Sequence, residues 1–294
     1  MQKPPCRSSS TKPPRRLWFV FNPGSHSVEA DVLDRVRTRL SEMGGTIVGE
    51  TRFPDQSIPD GAALDDHEVD TLVTLGGDGT ITCAATELAG WKGRLLVLAG
   101  GTMNLIPKML HADLDPDAIV TAAFARPRLT ALPYIAVGEH RSFARIIAGP
   151  AASFVHVREE LRAGRVSQMW RALRFAWRML WSRTIALDGE VGRFRAIFVR
   201  AGDDEELMFE TIEAGGPLSA LKLAWTWTVD LMGDTAALDQ RHRGTALLRS
   251  SRPVRMLLDG EEMFFDAPVA LEPRTSGLCF FTTRDDQNEE EEGA

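Results

Sequence analysis

The sequence predicts an α/β domain followed by a mainly β domain, and three observations carry that reading. In the first 128 residues, short apolar runs end in glycine-rich loops and lead into helical patterns three times over. From residue 129 the runs stay short, rich in β-branched and aromatic residues, and are broken by Gly, Pro or Asp. A length of 294 residues is enough for two cores at roughly 150 residues per domain. Strand, loop and helix in succession build a parallel sheet, and closely spaced short strands build a sandwich or barrel. The fold class is therefore a parallel α/β domain, then a β-sandwich-like domain with inserted helices.

The elements follow in order. Leu17–Phe21 is an apolar run closed by Asn22-Pro23-Gly24; Val28, Val32, Val36 and Leu40 then recur every fourth residue until Gly44-Gly45, which predicts strand, turn and helix. Thr71–Leu75 ends in Gly76-Gly77-Asp78-Gly79-Thr80 and leads into the helical stretch Ile81–Ala89. Leu95–Leu98 ends in Gly100-Gly101-Thr102 and leads into Asn104–Leu110. A helix at 116–125 opens with Asp115 as N-cap, Pro116 at the first helical position and Asp117 at the positive dipole end. The β runs of the second half are Leu129–Val137, Phe143–Ile147, Phe194–Arg200, Leu207–Glu213, Val254–Leu258, Met263–Phe265, Val269–Glu272 and Leu278–Thr283. Helical stretches at 157–183 and 217–232 interrupt them and hold five of the seven tryptophans.

Composition narrows the class. Apolar residues are 44% and charged residues 26%, as in soluble globular proteins, and the longest uncharged stretch, Leu95–Pro107, falls short of the ~20 residues a membrane span needs. Cys6, Cys83 and Cys279 are scattered, odd in number and without metal-ligand spacing, which points to a reducing compartment and a cytoplasmic protein. The net charge of −7 is uneven. Residues 1–16 carry Lys3, Arg7, Lys12, Arg15 and Arg16 without an acid, and six acids without a base follow from Asp285. Both ends are poor in large apolar residues and are expected to be disordered. The predicted organisation is a leader at 1–16, an α/β domain at 17–128, a β-rich domain at 129–284 and a tail at 285–294.

The loops of the first half suggest chemistry. Each lies at the C-terminal end of a buried strand, where open α/β sheets bind ligands, and two precede helix N-termini that attract phosphate. In Gly76–Thr80 the glycines let a phosphate approach the backbone, the single carboxylate of Asp78 can hold Mg²⁺, and Thr80 adds a hydroxyl. These features together point to a nucleotide-binding site.

Asn22-Pro23-Gly24-Ser25, Gly76–Thr80 (GGDGT) and Gly101-Thr102-Met103-Asn104 (GTMN), in this order and spacing, resemble the diacylglycerol kinase catalytic-domain family. The resemblance continues through Arg145–Ser153 and through Asp259-Gly260-Glu261. It implies an N-terminal domain binding Mg²⁺ and ATP, of the type shared with NAD kinases, a β-rich domain binding a lipid alcohol such as diacylglycerol, and phosphoryl transfer in the cleft between them. Carried over by residue, Asn22 and Ser25 line the triphosphate loop. Gly76, Gly77, Gly79 and Thr80 cradle phosphates, and Asp78 holds the metal. Gly101, Thr102 and Asn104 complete the nucleotide and acceptor side, and Glu261 is the general base. Asp259-Gly260 between two apolar runs is equally a hairpin signal, which would make Glu261 a turn glutamate. A carboxylate committed to Mg²⁺ accepts protons poorly, so Asp78 takes the metal and Glu261 the proton.

From Arg158 to Arg183 there are seven Arg against two Glu. At helical spacing Arg171, Arg174 and Arg178 form one stripe, with Trp170, Trp177 and Trp181 beside it. That order suits a helix at an anionic membrane surface, and equally an amphipathic helix whose tryptophans finish a core or a dimer contact. Nucleic acid is not expected, since the basic stripe is confined to one helix of an acidic chain. The function expected is ATP-dependent phosphorylation of a lipid hydroxyl, in the cytoplasm or at the inner membrane surface. Two alternatives are an NAD kinase and a lipid- or nucleotide-binding pseudokinase regulator.

Overall fold

The computed structural model describes residues 6, 12–25, 27–150, 152, 184–202, 205–213 and 240–284. The helices expected at 157–183 and 217–232, and with them the Arg/Trp stripe, lie outside the described residues, as does the acidic tail. The chain divides into two compact units, Met1–Leu132 with Thr275–Ala294, and Pro133–Arg274.

The first unit is a parallel sheet with helices. In order it contains β1 (Arg16–Phe21), α1 (Ala30–Glu42), β2 (Thr46–Arg52), α2 (Gly61–Asp66), β3 (Thr71–Gly76), α3 (Asp78–Glu87), β4 (Arg94–Ala99), α4 (Leu105–Leu110), α5 (Pro116–Ala125) and β5 (Leu129–Thr130), and the C-terminal strand β17 (Cys279–Phe281) returns to it. The strand order is β2-β1-β3-β4-β17-β5. β1 pairs in parallel with β2 and β3, β3 with β4, and β4 with β17; β5 is antiparallel to β17. Every residue of β3 is buried, as expected of a central strand covered on both faces. Phe19, Val36, Leu40, Leu98, Val120 and Phe281 meet in one core. The Asp115 cap is formed as its sequence predicts, the carboxylate accepting from Ala118 N at 3.1 Å with Pro116 opening the helix.

The second unit is built of antiparallel pairs. β6 (Pro133–Val137), β7 (His140–Ser142), β8 (Ile146–Ala148), β9 (Ala186–Leu187), β10 (Phe194–Ala201), β11 (Glu206–Glu213), β12 (Gln240–Arg243), β13 (Ala246–Arg249), β14 (Val254–Leu258), β15 (Glu261–Phe265) and β16 (Val269–Thr275) form two sheets. Their orders are β12-β11-β10-β8-β14-β15 and β7-β6-β16-β13-β9. Residues from both, among them Ile135, Ile146, Ile197, Phe209, Leu248, Met256 and Leu271, bury one another in a single core.

The structure corrects three expectations. Leu129–Thr130 and Leu278–Thr283 contribute β5 and β17 to the first unit's sheet, so residues 129–132 and 275–284 group with the first unit and not with the β-rich one. A short β run carries no mark of which sheet it joins. Part of the basic leader is bonded to the first unit: Arg15 N and Arg16 N donate to the Asp70 carboxylate at 3.1 and 3.2 Å, and Arg94 Nη1 donates to Lys12 O. Finally, Cys6 and Cys279 form a disulfide with Cα atoms 5.2 Å apart, and Cys6 is 1% exposed. The reasoning from unpaired cysteines to a reducing compartment therefore fails, because a sequence separation of 273 hides that the two are neighbours in space.

Candidate functional site

In the first unit, three loops that follow β1, β3 and β4 converge. Where β1 stops, Asn22 N donates to Leu75 O at 3.0 Å, which joins the first loop to the end of β3. The Asn22 side chain works in both directions. Its Oδ1 accepts from Gly24 N at 2.9 Å and closes the Asn-Pro-Gly turn, while its Nδ2 donates to Thr80 Oγ1 at 3.1 Å. Ser25 Oγ accepts from Gly77 N at 3.2 Å, and Ser27 N donates to Gly100 O at 3.2 Å. A loop that reads as a bare turn in sequence is thus bonded to both of its neighbours.

The second and third loops touch through backbone. Gly100 N donates to Gly76 O at 3.0 Å. A Cβ on Gly101 would lie 2.6 Å from Gly77 Cα, and one on Gly100 would lie 2.8 Å from Gly76 N, closer than real side chains come. Glycine is required here by the mutual approach of two loops. Gly77 is the N-cap of α3, so Asp78, Gly79 and Thr80 form its first turn, whose N–H groups have no acceptor within the helix and carry partial positive charge. This end of α3 can hold an anion.

Asp78 is 8% exposed and Thr80 4%. Asp78 Oδ1 accepts from Ile106 N at 2.8 Å, in the first turn of α4. The N-cap of α4, Asn104, has left-handed backbone (φ 51°) and turns its Oδ1 back to Gly101 N at 2.8 Å, which braces the GTMN loop. Asp78 therefore caps α4 in place of α4's own N-cap residue, a role sequence reasoning missed because the contact joins positions 28 apart. Thr102 lies exposed in the same loop.

Among the described residues no group of three or more His, Cys, Asp or Glu comes together. Mg²⁺ commonly uses one or two carboxylates and completes its shell with phosphate oxygens and water. Asp78 is the carboxylate that the converging loops supply.

Glu261 belongs to the second unit. Asp259 (φ 50°) and Gly260 (φ 96°) are both left-handed, forming the two-residue hairpin turn that their sequence predicts. Glu261 opens β15 opposite Leu258 and is exposed. It lies on the same face of β15 as Met263 and Phe265, which pack on the core. On the other face, Glu262 pairs with Arg255 at 3.0 Å.

Comparison with known proteins agrees with the motif resemblance. Residues 16–148 match the Diacylglycerol kinase catalytic domain family. The crystal structure of a diacylglycerol kinase from Bacillus anthracis is similar over 93% of this chain and 99% of its own, at 15% identity and a TM-score of 0.65. A second structure from that organism, described as a candidate diacylglycerol kinase, has the same coverage at 14% identity and a TM-score of 0.63. At such identities the likeness shows the fold. No curated protein sequence matches significantly.

Proposed function

We propose, from a chain whose residues 16–148 match the diacylglycerol kinase catalytic domain, that this protein transfers the γ-phosphoryl group of ATP to a hydroxyl of diacylglycerol or a related lipid. The single observation that carries the nucleotide half is the convergence of three glycine-bearing loops on the first turn of α3, with the buried Asp78 among them. Backbone N–H groups of Gly77–Thr80 would bind phosphate oxygens, and the Asn22–Thr80 and Ser25–Gly77 bonds would hold that cradle in shape. Gly101, Thr102 and Asn104 would flank it. Mg²⁺, held by Asp78, would neutralise charge on the β- and γ-phosphates.

Phosphoryl transfer asks the protein for positioning and charge rather than covalent chemistry. The acceptor oxygen bonds to the γ-phosphorus as the bond to the bridging oxygen breaks, ADP leaves, and the hydroxyl proton passes to the Glu261 carboxylate. The test is transfer of labelled γ-phosphate to a panel of diacylglycerol, monoacylglycerol, sphingoid base, phosphatidylglycerol and NAD. Label on one lipid is the expected result. Label on NAD alone, or on nothing while ATP binds, contradicts the proposal.

A further inference from the structure

The chain contains the tripeptide Asp-Gly-Glu twice, at 188–190 and 259–261, and the structure treats the two aspartates differently. Asp188 forms an exposed ion pair with Arg249 at 3.1 Å, a contact worth little in water. Asp259 instead gathers donors from a neighbouring segment. Its carboxylate accepts from Ser142 Oγ at 2.7 Å and from the backbone N–H groups of Phe143, Ala144 and Arg145 at 2.8, 2.9 and 3.0 Å. Its own N–H donates to Arg145 O at 3.1 Å. Ser142, Phe143 and Ala144 are buried, so their donors need a partner within the protein, and one carboxylate satisfies them together.

This cage fixes the β14–β15 turn. Asp259 sits at φ 50°, a region that a non-glycine residue occupies at some cost, and its side-chain bonds hold it there. Two residues on, Glu261 starts β15. The caged segment, for its part, runs into β8, whose Ile146 pairs with Leu258 at the end of β14. The loop and the turn thus adjoin at one end of the antiparallel β8–β14 pair.

We propose that Asp259 is a positioning residue for Glu261: by tying the turn to residues 142–145 it sets where the Glu261 carboxylate stands, without itself touching substrate. The proposal rests on the reading of Glu261 as the proton acceptor. Displacing a reacting group by about an ångström can cost on the order of 100-fold in rate, so a loosened turn should appear in kcat.

The experiment compares full-length wild type with Asp259→Ala, Asp259→Asn, Ser142→Ala and Asp188→Ala. Hydrogen exchange over residues 142–148 and 256–265 reads the cage without any reference to activity. Label transfer to the lipid acceptor, with KM for ATP measured separately, reads positioning. Wild type should protect both segments. Asp259→Ala should lose that protection and about 10- to 100-fold in kcat with KM for ATP unchanged, and Asp259→Asn, which keeps one accepting oxygen, should recover part of both. Ser142→Ala, losing one donor of four, should fall between wild type and Asp259→Asn. Asp188→Ala should leave both readouts within twofold.

Rapid exchange of 142–148 in wild type, or unchanged kcat in Asp259→Ala, overturns the proposal. Should Asp259→Ala fail to fold, the same decision is read from Asp259→Asn and Ser142→Ala. Protection that depends on Asp259, in a protein that phosphorylates none of the acceptors, removes the Glu261 reading and the positioning role with it, while the cage stands.

Discussion

At the scale of single residues, Asp78 has two duties that a substitution can separate. Its Oδ1 caps the first turn of α4 through Ile106 N, and its charge would hold the metal. Asp78→Ala removes both, so we expect loss of phosphoryl transfer together with a drop of about 1 kcal/mol in stability, typical of losing a helix cap. Asp78→Asn keeps an oxygen that can accept from Ile106 N. It should hold most of that stability in urea unfolding while still losing at least about 100-fold in transfer. Glu261, exposed at the start of β15, has no such structural duty. Glu261→Gln should leave unfolding and ATP binding unchanged and slow transfer by roughly 100- to 10,000-fold, the range for a lost general base.

Elements carry a different kind of dependence. The end of α4 is bound to the strand that returns from the far end of the chain: Thr282 Oγ1 and Thr283 N both reach Leu110 O, at 2.7 and 3.0 Å. His111, next in sequence, is 2% exposed with Nε2 2.9 Å from Val97 O, and burial above all, with Arg284 adding to it, pushes its pKa down to about 4 from 6.5. The folded protein thus keeps His111 neutral while the unfolded chain binds a proton below pH 6.5. Stability is full above that pH and is lost as pH falls towards 4, by up to ~3 kcal/mol for a shift of this size. Urea midpoints between pH 7 and 4 should fall more steeply for wild type than for His111→Gln. The disulfide ties Cys6 to the same returning strand, so reductant, or Cys6→Ser, should lower the unfolding free energy equally in urea unfolding, by on the order of 2–5 kcal/mol. These long-range ties explain what the sequence could and could not show. β1, β3, β4 and the Asp115-capped α5 were legible because burial period and capping are local. β2 (TIVGETR) is not, since it is an edge strand with few apolar residues and only Thr51 buried. Sequence alone places β17 with the β-rich half because nothing within Cys279–Phe281 names its partner 185 positions away in β4. The loops of the site were likewise legible as glycine patterns, whereas the Asp78–Ile106 and Asp259–Ser142 bonds, 28 and 117 positions apart, were visible only in the fold.

For the whole molecule, the two units divide the proposed work. The first, with its three converging loops, supplies the nucleotide cradle and Asp78, and the second, with its two antiparallel sheets, supplies the Asp259 cage and Glu261. Among the described residues no helix is long and apolar enough to cross a membrane. A diacylglycerol acceptor is insoluble in water and is presented in detergent micelles. The most direct measurement follows label from γ-phosphate of ATP with Mg²⁺ to diacylglycerol in such micelles, with wild type, Asp78→Asn and Glu261→Gln side by side and ATP binding measured for each. The account predicts labelled lipid from wild type, at least about 100-fold less from either variant, and ATP binding retained by Glu261→Gln. Equal labelling by all three proteins, or labelling of NAD and of no lipid, would contradict it.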